Sequence, residues 1–156
     1  MITSERLWDV LIVHAIFHDM WDEIAEDDAV DVLPDVIGKI YVGLYNDSHL
    51  LGCFQLIQRT SVNWEIHTCL LKQYRKKFAT LCGLEIYRWI LNNIPGFHKL
   101  TSCVPQSQRH VLQYALKMGM VKEGVNRWSF AKNNSIMDQI LVGITREEMI
   151  AKLKEL

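Results

Sequence analysis

Between residues 62 and 92 the hydrophobic period changes, and this change limits the folds open to the chain. Residues 62–71, "VNWEIHTCLL", alternate only loosely, as a central strand covered on both faces does. Phe78, Leu81, Cys82, Ile86, Trp89 and Ile90 then recur at helical spacing, which predicts a helix over 74–92. Pro95 and Gly96 stop it. A strand that feeds a long amphipathic helix needs a sheet with helices packed on it.

The remaining elements fit that frame. Residues 5–26 read as helical in two pieces, with a break near His18–Asp19 and an acidic run at Glu26–Asp28 that begins a turn or faces a ligand. Residues 39–45 and 50–58 read as a hairpin turned by Asn46-Asp47-Ser48. A strand at 98–104 precedes a helix over 108–118, with Ser107 as its cap and Gly119 just beyond it. Strands at 122–131 and 136–144 turn at Lys132–Ser135, and Thr145 to Glu148 is a capping box for a last helix over 145–156. The expected fold is α/β or α+β: one domain over 1–156, with a mixed, largely antiparallel sheet of about six strands flanked by helices.

The joint between strand and helix carries the strongest chemical signal. Lys72, Arg75, Lys76 and Lys77 place four cations within six residues. A helix start leaves backbone N–H groups unpaired, and its dipole favours anions. The cluster reads as an anion site for phosphate or pyrophosphate, or else as lysines that are simply solvated. It is a local feature, because 17 Lys and Arg against 18 Asp and Glu give a net charge of -1. No broad basic field is available for nucleic acid. The apolar runs are too short for a membrane span. Cys53, Cys69, Cys82 and Cys103 lie in apolar stretches without CxxC spacing and read as reduced core residues, with no metal expected. Neither GxxxxGK[ST] nor GxGxxG occurs.

The segment "KQYRKKFAT", residues 72–80, resembles the "P-x-Y-R-G-K-G-x-G" turn of the GNAT N-acetyltransferases. Tyr74, Arg75 and Lys77 match. Lys72 stands where proline is common, and Lys76, Phe78 and Thr80 stand where glycines are. The stretch "VPQSQRHVLQYALKMGMVKEG" resembles that superfamily's later strand, helix and "K-x-G-F-x-x-E-G" segment through Lys117, Gly119, Glu123 and Gly124. Ser107 replaces a common asparagine. Ala115 replaces the tyrosine that acts as acid toward the leaving thiolate, and Tyr114 sits beside it, about 100° around the helix.

The resemblance implies a GNAT-like fold that uses acetyl-CoA, or binds CoA, and acylates an unidentified primary amine of a small molecule or protein. It implies a pantetheine arm on the backbone of Cys69, Leu70 and Leu71, and a pyrophosphate over Arg75, Lys76, Lys77, Phe78, Ala79 and Thr80. Ser107 would face the CoA arm. Glu65 is the first candidate base and His67 the second, two residues apart on one strand face; Tyr114 is the candidate acid. Asp27, Asp28 and Asp138 are further candidates, and Trp21, His14, His18, Trp64 and Trp128 are candidates for the acceptor groove. Residues 127–148, "RWSFAKNNSIMDQILVGITREE", resemble phage- and prophage-encoded acetyltransferase-like proteins. The alternative is therefore a weak or inactive GNAT-fold protein with an assembly role, such as in a phage particle. A homodimer or assembly partner and a cytoplasmic location complete the expectation, in the host cell if the protein is phage-encoded.

Overall fold

The computed structural model describes residues 1–24 and 33–155. Ala25, Glu26, Asp27 and Asp28, read above as helix end, acidic turn or acceptor entrance, lie outside the described residues. One seven-stranded sheet organises the chain, in the order β1-β2-β3-β4-β5-β7-β6. Its strands are β1 (Ile2–Arg6), β2 (Ile40–Asn46), β3 (His49–Gln58), β4 (Asn63–Leu70), β5 (Lys99–Pro105), β6 (Val121–Lys132) and β7 (Ser135–Thr145). The helices are α1 (Val10–Asp19), α2 (Lys72–Asn93), α3 (Arg109–Lys117) and α4 (Arg146–Lys154). A short 3-10 turn, Trp21–Glu23, follows α1.

Strand alternation divides the core in two. On one face Val42, Leu44, Phe54, Leu56, Ile66 and Leu70 meet Cys82, Ile86 and Ile90 of α2 and Ala115 of α3. On the other, Tyr41, Cys53 and Cys69 meet Val13 and Ile16 of α1. The expected mixed, largely antiparallel sheet is present, with one more strand than the sequence suggested. Among the described strands only β4 and β5 run parallel.

The turns carry their residues for physical reasons. Asp47 and Ser48 adopt φ of 47° and 76° between β2 and β3, and Asn133 and Asn134 adopt 53° and 59° between β6 and β7. Two consecutive positive φ angles give a turn whose twist matches antiparallel strands. Gly119, at φ 91°, ends α3 as expected. The Thr145 hydroxyl accepts from the Glu148 N–H at 3.2 Å and caps α4.

Three readings need correction. The N-terminal segment is not helical from residue 5: Ile2–Arg6 pairs antiparallel with β2, and α1 starts only after Asp9, whose carboxylate accepts from the Leu11 N–H at 2.9 Å. Ser107 does not cap α3; Gln108 holds the cap position, with no side-chain capping bond. The helix predicted over 74–92 starts two residues earlier, at Lys72, and ends at Asn93.

Candidate active site

Beyond one point, β4 and β5 part. Their parallel pairing covers Asn63↔Lys99, Trp64↔Leu100 and Glu65↔Thr101 only. β5 continues to Pro105 along β7, while β4 continues to Leu70 along β3. The gap opens into a cleft of about 990 Å³ bounded by α1, the 3-10 turn, α2 and α3. Among the described residues the edge of β4 beyond Glu65 has no strand partner on the β5 side, and it faces the cleft. Val111 and Tyr114 of α3 and Ala79 of α2 line the wedge.

Glu65 and His67 meet at the apex. Both project from the β4 face that also carries Cys69, as period-two alternation requires. The Glu65 carboxylate lies 2.9 Å from His67 Nε2 and accepts from Arg59 Nη2 at 2.7 Å. The His67 hydrogen bond, aided by Arg59 and opposed by partial burial, holds the Glu65 carboxyl down at about 2, against an ordinary 4.5. An anionic Glu65 makes Nε2 the protonated nitrogen, which leaves the Nδ1 lone pair free. Nδ1 makes no hydrogen bond among the described residues. Gln55 stands opposite His67 on β3 and Tyr41 opposite Gln55 on β2, and Gln55 Nε2 donates to the Tyr41 hydroxyl at 2.8 Å. Burial pushes the Tyr41 phenol up to about 12. Arg59, Gln55, Tyr41 and Cys103, all lining this cleft, were not singled out from the sequence; strand register alone brings them together.

A stability consequence follows from the low Glu65 value. A depressed carboxyl contributes stability that is complete above its unfolded value and is lost as pH falls through the folded one. The window runs from about 4.5 down to about 2. The side chain is 15% exposed, and the difference corresponds to at most roughly 3 kcal/mol. Urea unfolding of wild type and Glu65→Gln should therefore differ most above pH 5 and converge toward pH 2. Parallel pH curves would show that the pair contributes nothing to folding.

Tyr114 occupies a different role from a free phenol. Its hydroxyl donates to the Ala79 carbonyl of α2 at 2.8 Å, and burial raises its pKa far above the ordinary phenol value. It closes a small apolar cavity of about 40 Å³ beside Ile66, Thr68 and Gly83.

The cations at the start of α2 are not all free. Lys72 pairs with Asp22, and its backbone N–H donates to Asp19 Oδ2 at 3.0 Å. Arg75 Nη1 lies 2.8 and 2.9 Å from the two Glu23 oxygens, and Arg75 Nε donates to the Leu70 carbonyl at 2.8 Å. Lys76 lines the cleft, and the Lys77 ammonium sits 5.1 Å from the Phe78 ring centroid. Phe78, Ala79 and Thr80 are inside α2, where their N–H groups belong to the helical ladder. Ser107 is exposed in the turn before α3.

The other candidates scatter. Trp21 lines the cleft. Trp64 packs against the larger core, and His14 and His18 lie on α1. Trp128 is 78% exposed. Asp138 accepts from the Trp128 N–H at 2.9 Å and exchanges bonds with Gln106, so it holds two strands rather than facing the cleft. Among the described residues no group of three or more His, Cys, Asp and Glu is placed to hold a metal, and no helix is long and apolar enough to cross a membrane.

Comparison with known proteins agrees with this architecture. A family profile described as "Protein of unknown function (DUF2824)" matches residues 5–155. No curated protein matches the sequence. Among solved structures, a chimera of the Vibrio cholerae spermidine N-acetyltransferase SpeG and hSSAT is similar, with a TM-score of 0.81 at 16% identity, over 96% of this chain and 98% of that one. A GNAT-family acetyltransferase from Streptococcus pneumoniae gives 0.72 at 14% identity, over 93% and 99%. A phosphinothricin N-acetyltransferase structure gives 0.72 at 14%, over 94% and 99%. The fold is that of the GNAT acetyltransferases.

Proposed function

The chain belongs to the DUF2824 family, and from that premise we propose that it transfers an acyl group from acyl-CoA, acetyl-CoA first, to a primary amine held in the cleft between β4 and β5. The observation that carries the reading is the Glu65–His67 pair at the point where the two strands part. The reaction needs a thioester beside an amine that can shed a proton. The edge of β4 that β5 leaves uncovered suits the amide-rich pantetheine arm around Cys69, while the Leu70 carbonyl is already taken by Arg75 and the Leu71 N–H by the Leu51 carbonyl. The amine sits on the opposite wall, near Tyr41, Gln55 and Trp21, and gives its proton to His67 Nδ1 as it attacks the carbonyl carbon; the tetrahedral adduct then breaks its C–S bond to give the amide and CoA thiolate, which takes the proton back from the His67 imidazolium.

Glu65 serves better as the group that positions His67 than as the base. A carboxylate with a pKa of about 2 has little affinity for an ammonium proton. Its bond to Nε2 fixes the ring and stabilises the imidazolium that forms, as carboxylate–histidine pairs do elsewhere. Tyr114 is a poor thiolate acid here, because its proton is committed to Ala79.

One observation favours a second reading, a GNAT-fold protein that has lost the reaction and serves as a binding or assembly component. The start of α2 is closed by the chain's own carboxylates where the fold's donors place a pyrophosphate. Isothermal titration with acetyl-CoA and with free CoA separates the two. Micromolar binding, followed by thiol release with an amine panel that includes spermidine, is the result expected for the enzyme. No binding at millimolar concentration would overturn it in favour of the assembly role.

A further inference from the structure

Residues 19–24 form a strap across the mouth of the cleft. Asp19 takes the first backbone N–H of α2 at 3.0 Å, and Asp22 takes the Lys72 ammonium. Glu23 ties the 3-10 turn to α2 and α3. Its carboxylate holds Arg75 of α2 at 2.8 Å and lies 3.9 Å from His110 Nε2 of α3. Its carbonyl accepts from Gln108 Nε2 at 3.2 Å. On the far side Lys132 of β6 donates to the Trp21 carbonyl at 3.4 Å and lies over the Trp21 ring. The first turn of α2 has no acidic residue of its own. Among the described residues, the carboxylates paired at that helix start come from the strap.

We infer that the strap is an autoinhibitory closure of the donor site, in which Asp22 and Glu23 hold the cations that an acyl-CoA pyrophosphate takes when it displaces them. This rests on the acyl-CoA reading above. Carboxylate and phosphate compete for the same ammonium and guanidinium donors, and the pyrophosphate brings two linked charges and several acceptor oxygens on one group. The closure is suited to reversal. Asp22 and Lys72 are 70% and 44% exposed, so their pair is weak. Glu23 and Arg75 are 18% and 27% exposed and form the stronger fastening. Release of Glu23 frees α2 and α3 together, because the same residue ties both. It also moves Trp21, which lines the cleft, so donor entry and the shape of the acceptor wall are coupled.

The test compares wild type with the Asp22→Asn, Glu23→Gln double variant by titration with two donors, acetyl-CoA and S-acetylpantetheine, which lacks the pyrophosphate and nucleotide. A thermal melt first confirms that both proteins are folded. The expected result is about tenfold tighter acetyl-CoA binding by the variant with unchanged S-acetylpantetheine affinity. Equal or weaker acetyl-CoA binding by the variant overturns the closure and leaves the acyl-CoA reading standing. Equal tightening for both donors overturns competition with the pyrophosphate. Absence of binding by both folded proteins to both donors overturns the acyl-CoA reading and the closure with it.

Discussion

Replacing His67 with Ala is expected to lower kcat for amine acylation about 10²–10³-fold, with acetyl-CoA affinity changed by no more than about twofold. General-base catalysis is worth that much when the base is placed beside its proton. His67 is placed by three features. Alternation on β4 turns it to the α1 side of the sheet, the end of β4–β5 pairing sets it at the cleft apex, and Glu65 fixes Nε2 at 2.9 Å. The ring is 40% exposed, so its truncation removes little buried area and the fold should persist. The companion variant Glu65→Gln retains shape but removes the charge beside Nε2. Its expected loss is smaller, about tenfold, because the ring stays and only its positioning and stabilisation weaken. Added imidazole should restore part of the His67→Ala rate and none of the Glu65→Gln rate. An unchanged kcat for His67→Ala would remove the imidazole from the reaction, and a large rise in the Kd for acetyl-CoA would make it a binding residue instead.

That pair was legible in the sequence because its logic is local: two residues of one strand, two apart, share a face. The strand-to-helix joint, the Asp47-Ser48 turn and the Thr145 cap were legible for the same reason. β1 was not, because Ile2 is its one large apolar residue and an edge strand needs no more. The start of α2 lies two residues before the predicted one. A glycine-rich phosphate turn stays open because glycine disfavours helix. Lys76, Lys77 and Ala79 are good helix formers, so the helix extends back to Lys72. The partners of Lys72 and Arg75 come from residues 19–23, about fifty positions earlier, and no spacing rule links those segments. Two of the four cations, Lys72 and Arg75, pair with carboxylates of the chain itself. The rest of the cleft wall, Tyr41, Gln55 and Arg59, depends on the register between strands, which composition and periodicity do not fix.

The same register makes Gly52 the position where one methyl group should do most damage. Gly52 has φ of 141°, outside the range that side-chain-bearing residues adopt easily. It lies between Leu44 of β2 and Leu70 of β4, just after the irregularity that leaves Leu51 unpaired with β2. A Cβ there would stand 2.5 Å from the Cys69 carbonyl oxygen and 2.6 Å from the Leu70 Cα. Both obstacles are backbone, so no rotamer change relieves them. The Leu71 N–H, at the last step before α2, donates to the Leu51 carbonyl at 2.9 Å, and that bond would be strained along with the strand end. Gly52→Ala is expected to cost roughly 3–5 kcal/mol from clash and backbone strain together, which lowers Tm by about 10 °C in a domain of this size. Gly96→Ala is the control, since its Cβ would meet only the Ser61 carbonyl at 3.8 Å, and its Tm should stay within about 2 °C of wild type. If Gly52→Ala melts like Gly96→Ala, the close approach of β3 to the end of β4 is not needed for the fold. If it melts early while the surviving protein at low temperature has also lost acetyl-CoA affinity, the glycine is what brings the unpaired edge of β4 and the start of α2 into the positions the donor requires.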